Sequence, residues 1–186
     1  MVKFFQHTFA YDHPWENVTY AFWLRYPNPF ASHVVCADVI DRSINDDGML
    51  KTTRLVLKKG KLPKWFPDQF VKSSEAYVIE ESLVDPKNMK MVTRTRNLNH
   101  VRVMQVEETQ TFTPHPVNPE MTSVRTEARI ISKFGWGLAS RIELFGESNF
   151  ANNAAKARQG MKHILQMIRE KHLIRERMSF MQAQTA

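Results

Sequence analysis

Between residues 33 and 134 this chain sets strand-length segments in three pairs, each pair flanking a turn that suits antiparallel pairing. Residues 33–42 and 49–58 flank Ile44-Asn45-Asp46-Asp47-Gly48, a hairpin-like turn. Residues 74–84 and 90–98 flank Asp85-Pro86-Lys87-Asn88, a second turn. Residues 101–113 and 123–134 are separated by Pro114-His115-Pro116-Val117-Asn118-Pro119, whose prolines have no N–H for a ladder and cannot lie in a central strand. With an aromatic-rich segment at residues 3–9 the pattern predicts seven strands. They are mainly antiparallel, because a parallel crossover needs a dozen or more residues.

Helical patterns stand at both ends. Tyr11-Asp12-His13-Pro14 reads as a cap with proline in the first helical turn, and the helix continues to Tyr26, where Pro27 and Pro29 stop it. After Gly135-Trp136-Gly137 the helical period runs to about Lys171. One twisted sheet with a helix near each end is an α+β sandwich. The 186 residues suit a single domain, 1–172, followed by a basic tail, 173–186, expected to fray. No apolar run reaches the length of a membrane span. The first residues carry neither a secretory h-region nor an arginine-rich presequence and read as part of the fold.

A net charge of +7 points to an anionic partner: nucleic acid, acidic protein or acidic lipid surface. The single cysteine, Cys36, excludes an internal disulfide and a cysteine metal cluster, and its place between Val35 and Ala37 predicts a buried structural thiol. No Gly-rich phosphate loop, HExxH or GxSxG is present, and the seven histidines lack ligand spacing. The expectation is a binding protein rather than an enzyme, without metal or cofactor.

Arg25 is the residue that the helical pattern does not accommodate. Trp15, Val18, Phe22 and Tyr26 share one helical face, and Arg25, three after Phe22 and seven after Val18, leaves from that face too. A buried, unpaired arginine costs several kcal/mol, so its partner is a protein carboxylate or a bound anion. The long helix repeats the anomaly. Ile142, Phe145, Asn149, Asn153, Lys156, Gly160 and Ile164 form one stripe in which two amides and an ammonium interrupt an apolar face. Each alone reads as a snorkelling or sheet-capping side chain. Together, opposite a sheet that also receives Arg25, they favour a polar pocket within an apolar cavity and an anionic ligand for Arg25.

On the 49–58 strand, Arg54 and Lys58 share a face, and His33 opens the preceding strand. Arg25, His33, Arg54, Lys58 and Lys156 together suit a phosphate, which takes charge-assisted and bidentate bonds. Lys61-Leu62-Pro63-Lys64-Trp65-Phe66-Pro67-Asp68-Gln69-Phe70 alternates basic and apolar residues. Such a loop fits a bilayer interface, single-stranded nucleic acid, or a loop folded onto the core.

Phe22-Trp23-Leu24-Arg25-Tyr26-Pro27-Asn28-Pro29, His33-Val34-Val35, Thr53-Arg54-Leu55, Lys61-Leu62-Pro63-Lys64-Trp65, Val84-Asp85-Pro86 and Arg96-Asn97-Leu98-Asn99-His100 resemble the PRELI/MSF1 (slowmo) family over about residues 1–172, most of all its PRELI-like branch in fungi. The resemblance implies a lipid transfer protein of the mitochondrial intermembrane space. It implies a curved seven-stranded sheet wrapped around a long C-terminal helix, with the phospholipid between them. It implies a lid over the entrance, here Lys61, Leu62, Lys64, Trp65, Phe66 and Phe70, and a small twin-CX9C helical partner forming a heterodimer.

The branch is similar to carriers of phosphatidic acid from the outer to the inner membrane for cardiolipin synthesis. Its head-group residues fall on Arg25, His33, Lys58, Asn153 and Lys156. Where relatives can carry a lysine before the phenylalanine of the helix, this chain has Asn149 before Phe150, which leaves the phosphate contact at that position open.

The sequence therefore reads as a phosphatidic acid carrier without covalent chemistry, with Arg54 and Asn149 beside those five residues and transient attraction to anionic membranes. A phosphatidylserine carrier on the same fold is the nearest alternative. A nucleic-acid-binding module using the basic aromatic loop is a different class, as is a lipid-occupied adaptor that moves nothing.

Overall fold

A computed structural model describes residues 2–60, 75–135 and 137–184, with side chains described through Arg175. The strands are β1 (Lys3–Tyr11), β2 (Val34–Ile44), β3 (Leu50–Lys59), β4 (Glu75–Asp85), β5 (Lys90–Asn97), β6 (Gln105–Pro114) and β7 (Thr122–Ile131). They form one sheet in the order β1-β7-β6-β5-β4-β3-β2, antiparallel throughout. Strands β2 to β7 pair with their sequence neighbours, and β1 closes onto β7. The expected seven-stranded α+β architecture is present.

The alternating side chains of these strands put residues of different chemistry into transverse rows on the face toward the helices. Leu50, Val84, Met91, Phe112, Val124 and Phe9 are successive cross-strand partners and make an apolar base. The next row is polar: Thr52, Ser82, Thr93, Gln110, Thr126 and His7. Above it lie Arg54, Glu80, Thr95 and Glu108. Val56, Val78 and Asn97 begin the row beyond.

Helix α1 (Trp15–Leu24) lies across the base of this face. Pro14 is its N-cap rather than a residue of the first turn, and its carbonyl accepts from Val18 N at 3.1 Å. Trp15, Val18 and Phe22 are buried at helical spacing. Trp15 Nε1 donates to the Phe112 carbonyl at 3.2 Å, which ties α1 to β6. Burial of each of these three side chains contributes about 1.5–3 kcal/mol.

The helix stops at Leu24, two residues before the expected Tyr26, with Arg25 as its C-cap. The proline at 27 disfavours helical geometry at Tyr26, so the last turn closes early. A 3-10 turn, Pro29–Ala31, follows before β2.

Helix α2 (Ala139–Gln184) is longer than its sequence pattern, which breaks near Lys171. Residues 172–184 contain neither proline nor glycine and are mostly adequate helix formers, so the backbone continues even where the described side chains are all exposed. Met161, Ile164 and Leu165 pack with Trp15, Val18, Phe22, Met91, Phe112 and Val124 into the main core, sandwiching α1 between sheet and α2. Near its start, Ile142 packs against Val103 and Met104.

One residue departs from its expected burial. Cys36 is exposed, because β2 is an edge strand and its pairing with β3 is irregular between Val34 and Cys36. No described helix is long and apolar enough to cross a membrane.

Candidate functional site

Sheet, α1 and α2 leave a cavity of about 410 Å³ between them. Its walls are mixed. Phe9, Phe22, Val78, Val106, Phe145 and Phe150 supply apolar surface, while Arg25, His33, Lys58, Glu80, Glu108 and Arg158 are among its polar lining.

Arg25 enters this cavity because α1 ends immediately before it. Its carbonyl accepts from Asn28 Nδ2, and Asn28 Oδ1 in turn accepts from Phe30 N at 2.9 Å, capping the 3-10 turn. The guanidinium lies 3.8 Å from the Phe22 ring centroid and 4.9 Å from that of Tyr26. Its terminal nitrogen Nη2 donates to Glu80 Oε2. Nε is buried without a hydrogen-bond partner among the described residues. A protein carboxylate, rather than a ligand alone, thus answers the arginine on the apolar face, while one donor stays unused.

Glu80 holds a second arginine. Arg54 Nε donates to Glu80 Oε1 at 2.7 Å, and Arg54 Nη2 reaches the same oxygen. Burial alone would raise the Glu80 carboxyl, but Arg25 and Arg54 outweigh it and hold the group below the usual carboxylate range. Arg54 is 4% exposed and stacks against Phe22 and Trp23. It does not line the cavity, so the expected head-group contact at Arg54 is replaced by a structural one. Sequence reasoning misses Glu80. The available signal is its place in the inward alternation Val78, Glu80, Ser82, Val84 on β4.

A second carboxylate also lies in the belt. Glu108 accepts from Gln110 Nε2 at 2.8 Å and from Thr95 Oγ1 at 3.4 Å. Burial pushes its carboxyl up, and the opposing pull of Lys58 and Arg25 does not overcome that. Two glutamates of one cavity are therefore driven in opposite directions.

The other expected residues divide. Lys58, His33, Asn149 and Asn153 all line the cavity, and Lys58 has no ion pair among the described residues. The His33 imidazole is pushed down by burial and by Lys58 and Lys156, which favours its neutral form. Lys156 is exposed and lies outside the lining, near enough to act on His33 only electrostatically.

The lining of α2 follows two four-residue ridges instead of the predicted stripe. These are Phe145, Asn149, Asn153, Ala157 and Met161, and beside them Gly146, Phe150, Ala154 and Arg158. The helix passes from Val103 and Met104 toward β1, where Phe150 meets Phe5 and Arg158 meets His7 and Phe9. An oblique crossing presents i+4 rows, and this places Arg158 on the wall and Lys156 beyond it. Lys61, Leu62, Lys64, Trp65, Phe66 and Phe70, the expected lid, lie outside the described residues.

The 96–100 run works as a clamp on the cavity wall. Asn97 Nδ2 donates to the Asn99 and Met104 carbonyls at 2.7 and 2.9 Å, while its Oδ1 accepts from Val106 N at 2.8 Å. Asn99 accepts from Tyr77 N at 3.0 Å and donates to the Glu75 carbonyl at 2.9 Å. These bonds fix the β5–β6 connection against the start of β4.

The PRELI-like family profile matches residues 16–171. The chain is 36% identical over 172 residues to the Saccharomyces cerevisiae protein UPS1, mitochondrial, covering 91% of this chain and 97% of that one. It is 37% identical over 169 residues to human PRELI domain-containing protein 1, mitochondrial, covering 89% and 76%. Against S. cerevisiae UPS2, mitochondrial, identity is 31% over 172 residues, covering 91% and 75%.

Among solved structures, the Zhui aromatase/cyclase of Streptomyces sp. R1128 superposes with a TM-score of 0.63 at 8% identity, covering 89% of this chain and 94% of that one. The Thermus thermophilus protein TTHA0849 gives 0.60 at 14% identity, covering 89% and 99%. These two likenesses concern the fold alone.

Proposed function

Because this chain belongs to the PRELI-like family, we propose that it is a non-enzymatic phospholipid carrier whose cargo is phosphatidic acid. It carries that lipid from the outer to the inner mitochondrial membrane, across the intermembrane space, in support of cardiolipin synthesis. A small twin-CX9C helical protein is its partner. The mitochondrial designation of the yeast and human relatives supports the organelle.

The observation that carries the cargo reading is a cationic belt inside an otherwise largely apolar cavity. Arg25 keeps an unused buried Nε, and Lys58 stands on the same wall without a carboxylate of its own among the described residues. A phosphate monoester is small and strongly anionic, and it accepts several charge-assisted bonds at once. Phe145, Phe150, Val78 and Val106 offer apolar surface to acyl chains beside that belt. His33, Asn149 and Asn153 complete the polar shell with neutral donors, and Lys156 adds positive potential from the rim.

The test is transfer of phosphatidic acid and of phosphatidylserine between donor and acceptor vesicles by the purified protein with its partner. Wild-type protein moves phosphatidic acid in preference, and Lys58→Ala together with Arg25→Ala abolishes that movement. Equal transfer by the double variant, or preference for phosphatidylserine, overturns the cargo assignment.

A further inference from the structure

The two glutamates of the belt are satisfied very differently. Glu80 has an arginine on each oxygen, Arg25 on Oε2 and Arg54 on Oε1. Among the described residues Glu108 has only neutral donors, the Gln110 amide and the Thr95 hydroxyl. Both line the cavity, in one cross-strand row with Thr95 between them. We propose that Glu108 sets the head-group selectivity of this cavity: as a neutral acid it admits a bare phosphate, and as a carboxylate it turns the same wall toward a head group bearing an ammonium. The inference rests on the carrier reading and deepens it.

Charge counting shows why one proton matters here. With Glu108 neutral, Glu80 is the one carboxylate among the described lining residues, against the lining cations Arg25, Lys58, Lys59, Arg96 and Arg158, and a phosphate meets an excess of positive charge. With Glu108 ionised that excess falls by one, and the new charge lies on the wall that the phosphate must approach. Other charged or titratable groups among the described lining residues are His33 ahead of β2, Tyr11 on β1, Tyr26 after α1, Lys59 on β3, Arg96 on β5, His100 beyond β5 and Arg158 on α2. Tyr11 is pushed up by burial and stays protonated, so it adds no anion at neutral pH, and His33 is pushed toward its neutral form, so it adds little positive charge. Burial acts on Glu108 in the direction of the neutral acid, with Glu80 nearby adding to it.

Linkage then fixes the sign. Phosphate binding favours protonated Glu108, so the Glu108 contribution to affinity for a phosphate without an ammonium falls as pH rises through the titration of this group, against the rise that the monoester's own second ionisation, at about pH 6, brings to wild type and variants alike. The slope approaches its limit of about tenfold per pH unit for a single linked proton. An ammonium-bearing head group has the opposite slope.

The experiment measures extraction of phosphatidic acid and of phosphatidylserine from phosphatidylcholine vesicles containing both, across a series of pH values. For wild-type protein the ratio of phosphatidic acid to phosphatidylserine extracted is expected to fall, relative to Glu108→Gln, as pH rises. Glu108→Gln fixes the wall in its neutral form and is expected to lose that part of the pH dependence, keeping the part due to the lipids' own ionisation. Gln110→Met removes the amide donor to the carboxylate and is expected to move the midpoint to higher pH, an arm that does not depend on Glu108→Gln folding. A Glu108→Gln profile identical to wild type, or an unmoved midpoint in Gln110→Met, overturns the assignment of Glu108. Absence of extraction of either lipid by wild-type protein at every pH instead overturns the carrier reading and the inference with it.

Discussion

Gly160 of α2 lies against the side chain of Asn28, so that a Cβ at residue 160 would stand 2.8 Å from Asn28 Oδ1 and 2.9 Å from Nδ2. Asn28 cannot easily swing away, because Nδ2 holds the Arg25 carbonyl and Oδ1 caps the following 3-10 turn. The long helix therefore reaches the arginine through one amide. Gly160→Ala is expected to cost about 1–3 kcal/mol by overpacking and to weaken lipid extraction as Arg25 shifts. Denaturant unfolding of Gly160→Ala, Asn28→Ala and the double variant measures the coupling, and strict additivity would show that the two residues act independently.

Glu80 joins two arginines that have no other carboxylate in contact among the described residues. Glu80→Gln leaves both guanidinium groups buried without a counter-charge, and is expected to lower stability by about 3–5 kcal/mol. Addition of a short-chain phosphatidic acid restores part of that loss, which thermal unfolding with and without lipid would register. A variant as stable as wild type would mean that water already screens the pair.

Ala154 lies on the cavity wall one turn after Phe150 and one turn before Arg158. Ala154→Phe is expected to fill part of the cavity and displace lipid without opening the core around Trp15 and Phe22. Native mass spectrometry should then find protein free of co-purified phospholipid, with an unfolding midpoint no lower than wild type. Undiminished lipid occupancy would place the acyl chains elsewhere.

Acid destabilises the lipid-free protein through two groups. His33 is held neutral and must bind a proton in the unfolded chain first, so stability falls as pH drops below the ordinary histidine value of about 6.5. Glu80 is held ionised, so its contribution is present above the ordinary glutamate range and is lost as pH falls through the lowered value. Glu108 has the reverse sign: its contribution is full below that range and is lost as pH rises through the raised value. Urea unfolding across pH should show a maximum for wild type whose alkaline side is blunted in Glu108→Gln. An unchanged alkaline side would remove Glu108 from the balance.

Strand number, antiparallel order and both helices are legible in the sequence, because turn chemistry and residue periodicity act over short stretches of chain. Arg25, His33, Lys58, Asn149 and Asn153 are legible as members of one cavity for the same reason. Arg54 is misread because its partner is cross-strand, and no register between residues 54 and 80 can be read from the chain alone. The inward alternation on β4 contains Glu80, but nothing local distinguishes a paired carboxylate from a solvated one. Arg158 escapes because a stripe drawn along a straight helix axis excludes it, whereas α2 passes obliquely from the β5–β6 connection toward β1. Cys36 looks buried by its neighbours, and only the position of β2 at the sheet edge exposes it.

The Arg25–Glu80 contact also bears on how a carrier lets go. A cavity that already contains its own anion never offers a bare guanidinium, so incoming phosphate competes with an internal substitute instead of filling a vacancy. Affinity becomes the difference between two good interactions and stays moderate even though each is strong. When the lipid leaves, Glu80 is at hand to retake the arginine, which lowers the barrier to departure. Turnover, rather than tightness of grip, is what such an arrangement favours in the proposed carrier.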